Sequence, residues 1–230
     1  MKLLSVDASG KSAAAAVTED GVLLADGFEN NGFTHSETLL PLVDSVLKQA
    51  GVPIGEIDAF AVTTGPGSFT GLRIGCALVK GLAGDRSCFG VPTLKALAYG
   101  LRDEHGIVIP MMDARCCQVY TASFEVENGI VRQIVDDRAV AVDEVAEEIR
   151  SFLAAGKRVT VPGDGAYLLP ADVAEKIAVV PPEKKLIHGA SVAAAAVESE
   201  AVDAARLTLN YLRLSQAERE KNKKREEISK

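Results

Sequence analysis

TTGPGSFTGLRIG, Thr63–Gly75, carries four glycines, at 65, 67, 71 and 75, and how they are read decides the fold. Glycines at such intervals suggest a phosphate cradle, yet neither common fingerprint fits. No Gly-Lys-Ser/Thr can be read here, and Gly71 falls one residue late for the Gly-x-Gly-x-x-Gly of dinucleotide folds. The physical reading is a strand-to-helix turn. Pro66 restricts φ, Gly65 and Gly67 are free to take positive φ, and Ser68 is placed to cap the following helix. Within that helix, Ser68–Ala83, Gly71 and Gly75 are four apart and share a stripe with Leu78 and Leu82. A glycine inside a helix costs roughly 0.5–1 kcal/mol against alanine. Two on one stripe therefore predict close approach of another backbone, either the chain's own sheet or a partner's helix.

Upstream, Ile57–Thr63 reads as the strand feeding this turn. Lys2–Asp7, Ala13–Thr18 and Val22–Phe28 read as three more, the last two joined at Glu19-Asp20-Gly21, a hairpin signal. Ser36–Ala50 has apolar residues at 39, 40, 42, 43, 46 and 47, a helical spacing, with Gly51 as its stop and Pro53 beyond. The same order recurs downstream. Ile107–Asp113, Gln118–Glu125 and Ile130–Asp136 are strand candidates, with a turn at Glu127-Asn128-Gly129. Val142–Ala155 is helical, Arg158–Pro162 is a strand running into Gly163-Asp164-Gly165, and Ser191–Glu200 is an alanine-rich helix. Gly90–Gly106 would carry the crossing between halves. The pattern predicts an α/β chain of two lobes, 1–100 and 101–217, and a charged tail, Glu218–Lys230, with six basic residues against four acidic ones.

Apolar residues make up 47% and charged ones 25% of the 230, ordinary for a globular protein; the net charge is −7 and the pI about 5.1. An acidic chain lacks the footprint of a protein that grips nucleic acid alone. No stretch approaches the roughly 20 apolar residues of a membrane span. The start, MKLLSVDASGK, lacks a signal-peptide pattern, so the expected location is cytoplasmic, with no membrane partner. Cys76, Cys88, Cys116 and Cys117 are expected as buried thiols; neighbouring residues on a strand point to opposite faces, so the adjacent pair is a poor disulfide candidate.

Chemistry-bearing patterns are few. Gly10-Lys11-Ser12 imitates the end of a Walker loop, but Ser5 stands where its first glycine belongs and the lysine precedes a strand rather than a helix. His35, His105 and His188 share no i, i+3 or i, i+4 relation, so no histidine-pair metal site is expected. His35 reads as a helix-start or interface residue. Asp7, at a strand end, could hold hydrated magnesium or simply form a turn. Asp113-Ala114-Arg115 reads as a turn pair. No Ser/His/Asp or Cys/His set has interpretable spacing, and no catalytic residue is expected.

Taken in order, Leu3–Ser9 (LLSVDAS), His35–Leu47 (HSETLLPLVDSVL), Thr63–Gly75, Val91-Pro92-Thr93-Leu94, Met111–Phe124 (MMDARCCQVYTASF), Gly163-Asp164-Gly165 and Tyr211-Leu212-Arg213 resemble the TsaB (YeaZ) family, bacterial proteins needed to make threonylcarbamoyladenosine in tRNA. Leu209 departs from the proline the family often has there, and Asp7-Ala8-Ser9 from a frequent Asp-Thr. The resemblance implies an α/β, actin-like ATPase (ASKHA, ribonuclease H-like) fold, with two lobes each made of a mixed sheet flanked by helices. It implies a non-catalytic subunit that binds and stabilises the catalytic paralogue TsaD, works with the ATPase TsaE and meets tRNA through the complex; the same partner surface could also pair with itself as a homodimer. ATP and magnesium would be held elsewhere in that complex. TsaD's metal-binding histidines have no counterpart in Pro92–Leu101 (PTLKALAYGL). The implied TsaD contact lies on the two first-lobe helices, at His35, Leu39, Leu42, Val43, Val46, Phe69, Gly71, Leu72, Arg73, Gly75 and Cys76. Their apolar surface is wider than one core stripe requires. Asp7, Asp113, Gly163, Asp164 and Gly165 would be vestiges of a nucleotide site. The competing reading is an autonomous ASKHA-type ATPase or small-molecule kinase that uses those positions around Mg-ATP.

Overall fold

Period-two alternation along β1 (Lys2–Asp7) and β4 (Ala59–Gly65) builds the centre of the first lobe. Leu4, Val6, Phe60 and Val62 point to one face, and Leu3, Ala59 and Ala61 to the other. In the computed structural model, which describes residues 1–213, these two strands lie parallel at the middle of a six-stranded sheet. β2 (Ala13–Glu19) and β3 (Val22–Glu29) extend it antiparallel on one side; β5 (Ser87–Pro92) and the short β11 (Ala201–Val202) extend it on the other. On the first face pack α1 (His35–Ala50), started by a Thr34–Glu37 capping box and ended by Gly51 at φ 66°, and α2 (Phe69–Ala83).

The second lobe repeats this order. β6 (Gly106–Val108) and β7 (Met111–Arg115) both run along β8 (Gln118–Glu127), so together they form one strand interrupted at Ile109-Pro110. Proline cannot donate to a ladder, which accounts for the break. β9 (Ile130–Ala141) pairs with the other side of β8, and β10 (Val159–Thr160) runs parallel to β6. Counting β6 and β7 as one, the order fourth-first-second-third matches β4-β1-β2-β3. α4 (Val142–Ala154) covers the outer face.

Between the two sheets lie α3 (Thr93–Tyr99), inside the segment expected as a plain crossing, and α6 (Gly189–Ala196). α5 (Ala171–Ala174) is a single turn on the second lobe. The interior is therefore layered helix, sheet, helix, sheet, helix, with one apolar cluster running from Leu3 and Ala61 through Leu94 and Val192 to Phe124. The division at residues 100 and 101 needs correction at its far end. After the second sheet the chain returns to the first, where α6 packs under β1 and β2 and β11 pairs with β5. The small residues Ser5, Ala14 and Ala16 leave that face low enough for α6 to enter. Two extents also change: β9 continues five residues past Asp136, and the predicted strand Arg158–Pro162 keeps ladder pairing only at Val159–Thr160. The tail Glu218–Lys230 lies outside the described residues.

Candidate functional site: the interlobe cleft

The turn after β4 forms as read. Ser68 caps α2, its Oγ accepting from the Gly71 N–H at 3.2 Å, and the Gly65–Pro66 bond is cis. Gly67, at φ 156°, lies so close to the β1–β2 turn that a Cβ would sit 2.4 Å from the Ser9 carbonyl oxygen. This turn forms one wall of a cleft of about 560 Å³; Ser9, Gly10 and Lys11 form another, and Met112–Arg115 with Asp164 form the second-lobe side.

Four of the five suspected nucleotide positions line this cleft system, Gly165 excepted. Asp7, Gly163 and Asp164 border a narrower chamber of about 120 Å³, and Asp113 and Asp164 border the main cleft. The Asp113 backbone N–H donates to Asp164 Oδ1 at 3.1 Å. Gly163 and Gly165 are glycine because β7 lies against them: a Cβ on Gly163, at φ 107°, would meet the Met111 carbonyl oxygen at 2.1 Å, and one on Gly165 the Met112 carbonyl carbon at 2.9 Å. Burial pushes the Asp164 carboxyl above its ordinary pKa.

Asp7 is held through one carboxylate oxygen. It is 1% exposed, and its Oδ1 accepts from the Ser9 N–H at 3.1 Å, Ser9 Oγ at 2.6 Å and Thr63 Oγ1 at 2.6 Å. Burial holds its carboxyl above the usual range, against those three hydrogen bonds. Asp113 is likewise engaged, accepting from the Arg115 N–H at 2.7 Å and from Tyr167 Oη at 3.1 Å. Where a second phosphate hairpin would turn stand Arg115, Cys116 and Cys117, all at positive φ. Both cysteines are exposed, contrary to expectation, because they occupy a turn; Cys76 and Cys88 are buried as expected.

A feature the sequence reading left unused closes the mouth. Leu207 is buried against the first lobe, and the Asn210 N–H donates to the Thr64 carbonyl at 2.7 Å. Tyr211 stacks on Phe69 at 4.5 Å and accepts from Arg73 Nε at 3.2 Å; Arg213 Nη1 then reaches the Ala114 carbonyl of the other lobe at 2.7 Å. Leu209, in place of the family's frequent proline, packs partly buried on the same core. The Tyr-Leu-Arg triplet was the available signal for this strap.

The expected partner surface is redistributed. Leu39, Leu42, Val43 and Val46 are buried in the chain's own core against β2 and β3, as are Leu72 and Cys76 of α2. Their breadth reflects a helix sunk into a concave sheet face, and it leaves Leu40 outside at 54% exposure. Gly71 and Gly75 face inward: a Cβ on Gly71 would lie 2.0 Å from the Ala8 carbonyl oxygen, and one on Gly75 3.4 Å from Val62. The backbone that Gly71 admits is the chain's own at Ala8, just past β1, and Gly75 meets the Val62 and Ala8 side chains. His35 is half-buried, with Nε2 2.9 Å from the Gly10 carbonyl oxygen. Phe69 and Arg73 stay at the surface, the guanidinium 3.9 Å over the ring.

Two lobes of one topology closing on a cleft define the actin-like ATPase class of folds. The family model described as "TsaD: tRNA N6-adenosine threonylcarbamoyltransferase" matches residues 31–219. The chain is 33% identical to the tRNA threonylcarbamoyladenosine biosynthesis protein TsaB of Escherichia coli over 70% of its length and 71% of that protein's. It is 32% identical to the protein of the same name from Bacillus subtilis, over 65% of this chain and 66% of that one. A crystal structure from Pseudomonas aeruginosa, described as an uncharacterized protein with similarity to peptidase YEAZ, superposes with a TM-score of 0.75 at 27% identity, covering 92% of this chain and 99% of that one. The chain belongs to the TsaB (YeaZ) family.

Proposed function

We propose that this chain works in the biosynthesis of threonylcarbamoyladenosine in tRNA as a non-catalytic subunit that docks the catalytic paralogue TsaD, alongside the ATPase TsaE. The relatives' names supply the pathway. The docking role is carried by the outer side of α2. Its inner side is spent on the chain's own sheet, yet Ile74, Ala77, Leu78 and Gly81 remain fully or partly exposed, with Arg73 and Lys80 the charged residues beside them. An ordinary surface helix carries polar residues there. Among the described residues nothing lies within 4 Å of where a Gly81 Cβ would be, so Ala77 and Gly81 leave room for a second helix. The proposed interface is this stripe with Leu40, Phe69 and Arg73. Asp113, with both oxygens hydrogen-bonded, favours a subunit without chemistry of its own. Co-purification with TsaD tests the placement. Ala77→Arg is expected to abolish it while leaving the circular dichroism spectrum unchanged, and retention of TsaD by the folded variant would refute the docking face. Analytical ultracentrifugation of the same variant separates a homodimer on this stripe from the TsaD contact.

A further inference from the structure

The register Arg115↔Gln118 makes Cys116-Cys117 the two-residue loop of the β7–β8 hairpin, at φ 55° and 56°. Such a loop is ordinarily served by Asn-Gly, because both central residues must take positive φ. A side chain held there costs roughly 1–2 kcal/mol per residue. Neither thiol recovers this by packing, since both are exposed. Two adjacent, accessible sulfurs thus sit where structure alone favours other residues, next to the exposed Arg115. Accessibility is one condition for a thiol to react.

We propose that Cys116 and Cys117, in the turn next to the cleft-lining Arg115, form a reversible dithiol–disulfide site oxidised by low-molecular-weight disulfides. One sulfur attacks the reagent's disulfide, forming a mixed disulfide and releasing one small thiol. The second sulfur attacks the mixed disulfide and releases the other. Two S–H bonds are lost from the protein and one S–S bond forms, and the two electrons and two protons end on the two released thiols. The α-carbons of neighbouring residues are about 3.8 Å apart. Unstrained disulfides prefer roughly 4.4–6.8 Å. The ring is compressed and exposed, which makes it readily reduced, as a switch requires and a structural staple does not.

The surroundings favour this over a metal centre. Asp113, the nearest carboxylate in sequence, is held by the Arg115 N–H and Tyr167, and among the described residues no three His, Cys, Asp or Glu side chains come together. Two sulfurs fall short of the four ligands of a structural zinc site. Cys76 and Cys88 are the contrast: both are buried, and burial pushes their thiols up.

The test incubates the reduced full-length chain with oxidised glutathione and maps its peptides by mass spectrometry. The expected product has lost the mass of two hydrogens on the peptide carrying residues 116 and 117, in a monomer, and regains it with a monothiol reductant. Phenylarsine oxide, which clamps paired thiols, is expected to bind once per reduced chain and to be lost in both Cys116→Ser and Cys117→Ser, folded by circular dichroism. Stable glutathione adducts on separate cysteines, cross-links between chains, or arsenical binding that survives either substitution would each overturn the proposal.

Discussion

At Gly71 a single hydrogen atom separates a folded helix–strand contact from a clash. A Cβ would enter the Ala8 carbonyl oxygen at 2.0 Å, and backbone cannot step aside as a flexible side chain can. Gly71→Ala is expected to cost about 1–3 kcal/mol in urea unfolding, the usual range for overpacking. Gly81→Ala, on the same helix with open space, should be neutral or stabilise by roughly 0.5–1 kcal/mol. Equal effects would show that the inward contact carries no weight. Asp7 makes a second residue-scale prediction. Its carboxyl binds a proton more tightly folded than unfolded. Its contribution is therefore favourable at acid pH and is lost as pH rises from the ordinary carboxylate range, about 3.9, through the raised folded value. Asp7→Asn keeps an oxygen for the three donors on Oδ1. The variant's urea midpoint should gain on that of the parent as pH rises over this window; a constant difference would mean that Asp7 titrates as an ordinary carboxylate.

At the scale of elements, local pattern was legible wherever one face met one environment. β1, β2, β3, α1 and α2 appear within two residues of where alternation, hairpin chemistry and caps placed them. β9 runs past its apolar alternation, which Arg138 and Ala139 lack; pairing to Tyr120 and Thr121 supplies what local preference does not. The alanine-rich α6 was legible as a helix, but its place was not. Held between two sheets, it needs small residues on all sides. The carbonyl of Gly189 accepts from Ser5 Oγ at 2.7 Å, and a Cβ there would lie 2.3 Å from Ala15. Its start is pinned by Asp26, which accepts from the Ala190 N–H at 3.0 Å and lies 2.9 Å from His188 Nδ1. The same blindness to facing direction misassigned the glycine stripe of α2: spacing reveals that two glycines share a side, not which neighbour that side meets.

For the whole molecule, the strap from Leu207 to Arg213 ties the first-lobe turn to the second-lobe hairpin, and behind it Asp7 Oδ1 and both oxygens of Asp113 carry hydrogen bonds. Titration calorimetry of the isolated chain with Mg-ATP is expected to give no micromolar binding; binding with turnover would overturn the non-catalytic reading and restore the ATPase alternative. The sequence by itself determined the succession of elements, their repetition in two halves, and the turn character of TTGPGSFTGLRIG, because caps, glycine conformation and hydrophobic period act over a few residues. Only the tertiary structure decided that Gly71 and Gly75 face the chain's own first lobe at Ala8 and Val62, that the broad apolar surface of α1 is consumed internally, and that α6 returns to the first sheet. Those outcomes depend on which surfaces of separate elements meet, and no spacing within one element encodes that.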